Sequence, residues 1–360
     1  MKWTTPQYRS GEVDKAGDTL AAGTETDHDL EIINNWRASH SFPLQIIKMM
    51  LRSRARSADK KALVSQRLKR LPSIQNKLRR EGSMRASQVQ DIGGCRAVLS
   101  DIAAVDRLVE LFRKGLSKNP KGRHLYGDPK DHVAQPKNDG YRGFHYTVRY
   151  QTTARERLIY NGKKIEIQIR SKLQHAWATA VETVDALTGR SLKFDVKSNI
   201  EDPRWKRFFA LMGSAIAFRE KRPPVPNTPS VRADLVSELS VLAEELHVEN
   251  VLGGFSVAVN ILDEKRGSKA AEYILILNAN DKSVSVMQFD EKQRILVDAE
   301  YLRQEKLSQG QAGVQVVRVS VEDIRSLRAA YPNYYLDTSL FIDALRAAVS
   351  QKISRSKGTT

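Results

Sequence analysis

Apolar positions along the chain repeat with two periods, and each period predicts a different element. In the first sixty residues Trp36, Phe42, Leu44, Ile46, Ile47, Met50 and Leu51 recur near helical spacing, interrupted at Pro43. They predict helices, with Trp3 and Tyr8 as further anchors, and residues 1–54 read as a packing cap. Residues 61–85, KALVSQRLKRLPSIQNKLRREGSMR, also look helical, with a second helix starting at Pro72-Ser73. Residues 89–99 form an apolar run that predicts a buried strand broken at Gly93-Gly94. A helix from Asp101 follows, with Val105, Leu108, Val109 and Phe112 on its apolar face.

Strict alternation comes next. Tyr146, Val148 and Tyr150 alternate with Thr147 and Arg149, which predicts a strand. Ile165, Ile167 and Ile169 alternate with Glu166, Gln168 and Arg170, and Asn161-Gly162 before them predicts a two-residue hairpin turn. A helix bearing His175, Trp177 and Glu182 follows. Trp205, Phe208, Phe209, Met212, Ile216 and Phe218 mark another. Pro223, Pro224, Pro226 and Pro229 make a stiff boundary.

Beyond the prolines, Leu235, Leu239, Leu242 and Leu246 predict a helix, and strands are expected over 255–262, 272–278, 283–289 and 315–319. A helix, a YPNYY turn, a last helix and a frayed tail over 351–360 complete the chain. The fold class is α/β (α+β): a mixed or antiparallel sheet flanked by helices, plus a small C-terminal α+β domain. The expected units are 1–54, 55–222 and 223–360.

Charge narrows the partners. Lysine and arginine total 59 against 42 acidic residues, a net charge of +17, which favours polyanions. No run of about 18 apolar residues predicts a membrane span. The N-terminal residues lack a signal-peptide pattern, and the single Cys95 excludes an internal disulfide framework, so a cytoplasmic location is expected. Oligomeric state is left open.

The chemistry gathers around PKNDGYRGFHYTVRY, residues 136–150. A turn carries Lys137, Tyr141, Arg142 and His145 into a strand. An aromatic ring there can stack on a base while cations face phosphates; a basic surface hairpin is the plain alternative. Asp91 lies in an otherwise apolar segment and needs a partner, either Arg96 or a divalent metal carrying a nucleotide. The face showing Glu166, Gln168 and Arg170 is either solvated or the floor of a polar site.

Four motifs occur in order: RLKRLPSIQNKL, QDIGGCR, KDHVAQPKNDGYRGFH and IEIQIRSKLQHAWA. Together they resemble the synthetase domain of the RelA/SpoT family over roughly residues 55–190. That resemblance implies an ATP-dependent pyrophosphokinase using Mg²⁺. It implies that Arg67 and Lys69 hold ATP, with arginine on the adenine, and that Ser73 and Lys77 contact phosphates. Asp91 is then the metal-binding carboxylate with Arg96 nearby. Lys130 and Lys137 surround phosphates and acceptor, and Tyr141 stacks on the acceptor base, followed by His145. Glu166 assists the metal or takes the acceptor proton, supported by Gln168, Arg170 and His175. No Gly-rich P-loop is present. No long His-Asp-rich segment precedes the domain, which argues against an attached hydrolase.

The additional C-terminal segment resembles that of CapRel-type fused toxin–antitoxin proteins. This second resemblance implies a toxic synthetase inhibited by its own C-terminal domain, with Tyr331 and Tyr334 of a Tyr-x-x-Tyr motif entering the ATP site. It implies a tRNA 3′ end as acceptor and a phage capsid protein as the releasing partner. GDP or GTP as acceptor, with (p)ppGpp as product, is the alternative.

Overall fold

The computed structural model describes residues 3–118, 125–126, 129–188, 203–256, 260–262, 272–278, 283–311, 314–320 and 338–350. Three helices open the chain: α1 (Ser10–Ala22), α2 (Asp27–Ala38) and α3 (Ser41–Ala58). Thr26 caps α2, accepting the Asp29 N–H while Asp29 accepts the Thr26 N–H. Pro43 does not interrupt a helix as expected. It lies in the first turn of α3, where its missing N–H would have no intrahelical partner.

The sheet is mixed, within the expected mixed or antiparallel class, and its ten strands among the described residues form one continuous surface. Strands β1 (Leu63–Leu68), β2 (Gly93–Leu99), β5 (Phe144–Arg149) and β6 (Lys164–Ser171) make its centre, with the short β3 (Leu125–Tyr126) and β4 (Lys130–Asp131) along β5. Strand β2 runs parallel to β6, and β5 pairs antiparallel with β6. On the far side β1 pairs antiparallel with β10 (Val314–Ser320), followed by β8 (Glu272–Asn278), β9 (Ser283–Phe289) and β7 (Asn260–Leu262). The strands after the proline boundary thus extend the same sheet.

Several local expectations change. Residues 63–68 are strand β1, not helix; only α4 (Leu71–Arg80) is helical in that basic stretch. The expected strand over 89–99 begins only at Gly93, so Asp91 lies in the turn before it. Asn161-Gly162 does not close a tight hairpin, because a short 3₁₀ helix (Arg155–Tyr160) widens the connection between β5 and β6. Residues 255–256 finish helix α9 (Val248–Ser256) and are not strand. Helix α10 (Arg294–Leu307) was not expected from the pattern.

One face of the central sheet is apolar. Ile165, Ile167 and Ile169 are fully buried there, with Tyr146, Val148 and Leu99, under α3 and α5 (Ile102–Lys118). Asp101 caps α5 by accepting the Ala104 N–H. A second core lies among α6 (Lys172–Thr188), α7 (Pro203–Glu220), α8 (Arg232–Glu245), α9 and α11 (Ser339–Ser350). Phe208, Phe209 and Phe341 meet in it. No described helix is long and apolar enough to cross a membrane.

Candidate active site

Strand period puts the chemistry on the other face. With the isoleucines of β6 buried, Glu166, Gln168 and Arg170 point the opposite way. Register places Gln168 beside Arg96 of β2 and Glu166 beside Thr147 of β5. Arg67, Lys69, Asp91, Arg96, Glu166 and Gln168 line one cleft.

At one end of the cleft, Asp91 accepts Lys69 Nζ at 2.6 Å on one oxygen and Lys77 Nζ at 3.0 Å on the other. The sequence left Arg96 and a divalent metal open as its partner; the hydrogen bonds seen here come from these two lysines. Burial pushes the Asp91 carboxyl up, but the two ammonium groups outweigh it and hold it well below the carboxylate range. Burial pulls Lys69 down, against the Asp91 charge that holds it up. Ser73 sits in the first turn of α4 and Lys77 in its last turn.

At the other end a hydrogen-bonded network fixes Glu166. His145 Nδ1 donates to Glu166 Oε1 at 3.0 Å and Gln168 Nε2 donates to Oε2 at 2.7 Å. Tyr141 Oη bonds His145 Nε2, and Arg170 Nη2 donates to Tyr141 Oη at 2.9 Å and to Gln168 Oε1 at 3.1 Å. Burial raises the Glu166 pKa, yet the His145 bond and charge overcome it, giving about 2.

Tyr141 sits in the loop before β5 with its N–H on Asp139 at 2.7 Å. Its ring meets Trp177 edge-on, and Lys137 Nζ and Arg170 Cζ stand 5.4 and 5.0 Å from its centroid. Burial raises the Tyr141 pKa, so the hydroxyl stays protonated. Lys137 and Lys130 are exposed, Lys130 opposite His145 in the register of β4 and β5. The loop is pressed onto α7. A Cβ on Gly140, at φ +94°, would meet Phe209 O at 2.5 Å, and one on Gly213 would meet Gly140 Cα at 2.7 Å.

One expected group is placed elsewhere. Arg142 does not face phosphates: it is buried and donates to Pro223 O at 2.8 Å and Val133 O at 2.9 Å. His175 is buried on α6 with neither ring nitrogen hydrogen-bonded, its pKa pulled far down by burial and by Arg96 and Arg170. Tyr331 and Tyr334 lie outside the described residues. The sequence reading missed His132, whose ring lies edge-on to both Tyr141 and His145. Burial, then Lys137, lowers its pKa. The signal for it is the β4 register, which a two-residue strand does not announce.

The residues present fit Mg²⁺. Asp91 and Glu166 face one cleft, a carboxylate keeps lone pairs beyond those its lysines use, and this ion takes one or two carboxylates plus substrate phosphates. No group of three or more His, Cys, Asp or Glu side chains suited to a metal occurs among the described residues.

Residues 66–184 match the family described as "Region found in RelA / SpoT proteins". Solved structures show partial likeness. Small alarmone synthetase 1 from Bacillus subtilis bound to its product pppGpp is 20% identical, covering 52% of this chain and 91% of that one, with a TM-score of 0.40. A GTP pyrophosphokinase family protein from Streptococcus pneumoniae is 20% identical, with coverage of 58% and 92% and a TM-score of 0.37. Small alarmone synthetase 2 from Bacillus subtilis is 23% identical, with coverage of 44% and 76% and a TM-score of 0.34. No curated protein matches the chain.

Proposed function

We propose that the chain is an ATP-dependent pyrophosphokinase. The observation that carries this reading is the convergence of two carboxylates, Asp91 and Glu166, with Arg67, Lys69 and Arg96 on one cleft inside the stretch that matches the RelA/SpoT family. In the reaction an acceptor hydroxyl oxygen bonds to the β-phosphorus of ATP, the bond from the α,β-bridging oxygen to that phosphorus breaks, and AMP leaves. Positioning and charge neutralisation dominate such transfers. Lys69 and Lys77 neutralise phosphate charge, Arg67 holds the adenine, and Ser73 contacts a phosphate. Glu166, ionised at neutral pH, receives the acceptor proton at an oxygen that His145 and Gln168 hold in place. Asp91, with Glu166 facing the same cleft, would hold Mg²⁺, which would supply Lewis-acid stabilisation of phosphate charge.

Tyr141 supports a base-bearing acceptor, flanked by Lys130 and Lys137. The net charge of +17 favours the 3′ end of tRNA, whose modification would block translation in anti-phage defence. GDP or GTP is the second reading, favoured by the small, enclosed setting of Tyr141 against Trp177 and Arg170. Incubation with γ-labelled ATP and tRNA, GDP or GTP separately decides between them. Label on tRNA supports the first; label only on GDP or GTP supports the second. Restraint by Tyr331 and Tyr334 and release by a phage structural protein belong to the same proposal. Tyr334→Ala should then be toxic without a trigger, and a harmless variant with normal synthesis contradicts the restraint.

A further inference from the structure

Helix α4 carries Ser73 in its first turn and brings Lys77 to Asp91 at the cleft, and both of its ends are anchored by residues outside 66–184. At its start, Glu305 of α10 accepts the Leu71 N–H on Oε1 at 2.8 Å. The other oxygen of Glu305 accepts Arg37 Nη1 of α2 at 2.7 Å. The two side chains of this ion pair are 1% and 3% exposed. The Arg37 guanidinium also lies 4.7 Å from the Tyr301 ring centroid, so α2 and α10 are locked together beneath α4. Beside this contact, Arg70 Nη1 donates to Gln315 Oε1 of β10 at 2.9 Å. Farther along α4, Gln75 Nε2 donates to Leu20 O at 2.8 Å and Arg79 Nε donates to Ala21 O at 2.6 Å, both at the end of α1.

A carboxylate at the first N–H of a helix does the work of a cap, although it comes from 234 residues away in sequence. Lys77 is six residues from Leu71, about 9 Å along the helix. A tilt at the capped end is therefore carried directly to the ammonium that grips Asp91. We propose that Glu305 is a positioning residue for the ATP side of the reaction, acting through α4 on Ser73 and Lys77 and through Lys77 on Asp91. The segment after the proline boundary thereby completes the nucleotide site. This inference rests on the pyrophosphokinase reading for its kinetic readout.

The test uses the full chain with Glu305→Gln and, separately, Gln315→Leu, whose side chain makes the less buried of the two contacts. KM for ATP, KM for the acceptor labelled in the assay above, and the melting temperature are measured, with calorimetric titration by Mg-ATP alongside. Glu305→Gln should raise KM and Kd for ATP about tenfold, as loss of a cap would, with KM for the acceptor unchanged. Gln315→Leu should shift ATP affinity in the same direction by less, at an unchanged melting temperature. Unchanged or tighter ATP binding in both variants overturns the inference, as does an equal rise in both KM values. If Glu305→Gln does not fold, Gln315→Leu decides alone. A wild-type protein that binds Mg-ATP but transfers no pyrophosphate refutes the pyrophosphokinase reading instead, and the calorimetric comparison still tests the positioning role.

Discussion

Asp91 is held by two lysines, Lys69 and Lys77, that the proposed reaction sets against phosphate, so its removal should act twice. Asp91→Asn should lower kcat by about 10²–10³-fold, the cost of deleting one preorganised electrostatic group, in a pyrophosphate-transfer assay. It should also destabilise the fold, because Lys69 and Lys77 lose the charge that compensates their partial burial. Glu166 makes a separate prediction about acid. Its folded pKa of about 2 lies below the ordinary value of 4.5, so ionised Glu166 stabilises the fold above pH 4.5 and this contribution fades as pH falls toward 2. The amount is about 3 kcal/mol at neutral pH. Denaturant titrations from pH 6 to pH 2 should therefore show a shallower loss of stability in Glu166→Gln than in the wild type. Parallel curves would contradict the charged pairing with His145. These carboxylates were legible in the sequence as polar residues in apolar surroundings. Their partners were not, since Lys69, Lys77 and Asp91 meet only through the turn before β2 and the placement of α4.

Elements whose two faces differ sharply were readable from the chain. Strand β6 is the clearest case, three buried isoleucines against Glu166, Gln168 and Arg170. Strand β1 was hidden because Ser65, Gln66 and Arg67 interrupt its apolar residues: Ser65 and Arg67 share the site face, and Gln66 is buried on the other. Helix α10 was hidden because Ile295 and Leu296 face solvent while Glu305 is buried, so its pattern lacks a clean stripe. The contact between the Tyr141 loop and α7 makes a prediction at this scale. Propensity alone says Gly213→Ala should stabilise α7 by about 1 kcal/mol. The 2.7 Å approach of its new Cβ to Gly140 Cα says the loop must move. The close approach should win, lowering the melting temperature and raising KM for the acceptor with little change in KM for ATP. A stabilised variant with unchanged acceptor KM would show that the loop tolerates displacement.

Across the described residues, one sheet joins the strands of residues 66–184 to strands after the proline boundary, through β1 and β10. Arg67 therefore lies on a strand paired on both sides, with β2 and with β10. The sequence showed that alternating strands occur after the prolines but not that they continue the first sheet, because pairing partners far apart in sequence leave no local periodicity. The account as a whole stands on pyrophosphoryl transfer. Its most direct measurement is product analysis after incubation with γ-labelled ATP, Mg²⁺ and each acceptor, with wild type and Asp91→Asn in parallel. AMP should appear in one-to-one proportion with labelled acceptor, and Asp91→Asn should slow the appearance of both together by about 10²–10³-fold. ADP as the nucleotide product, or AMP without any labelled acceptor, would contradict it.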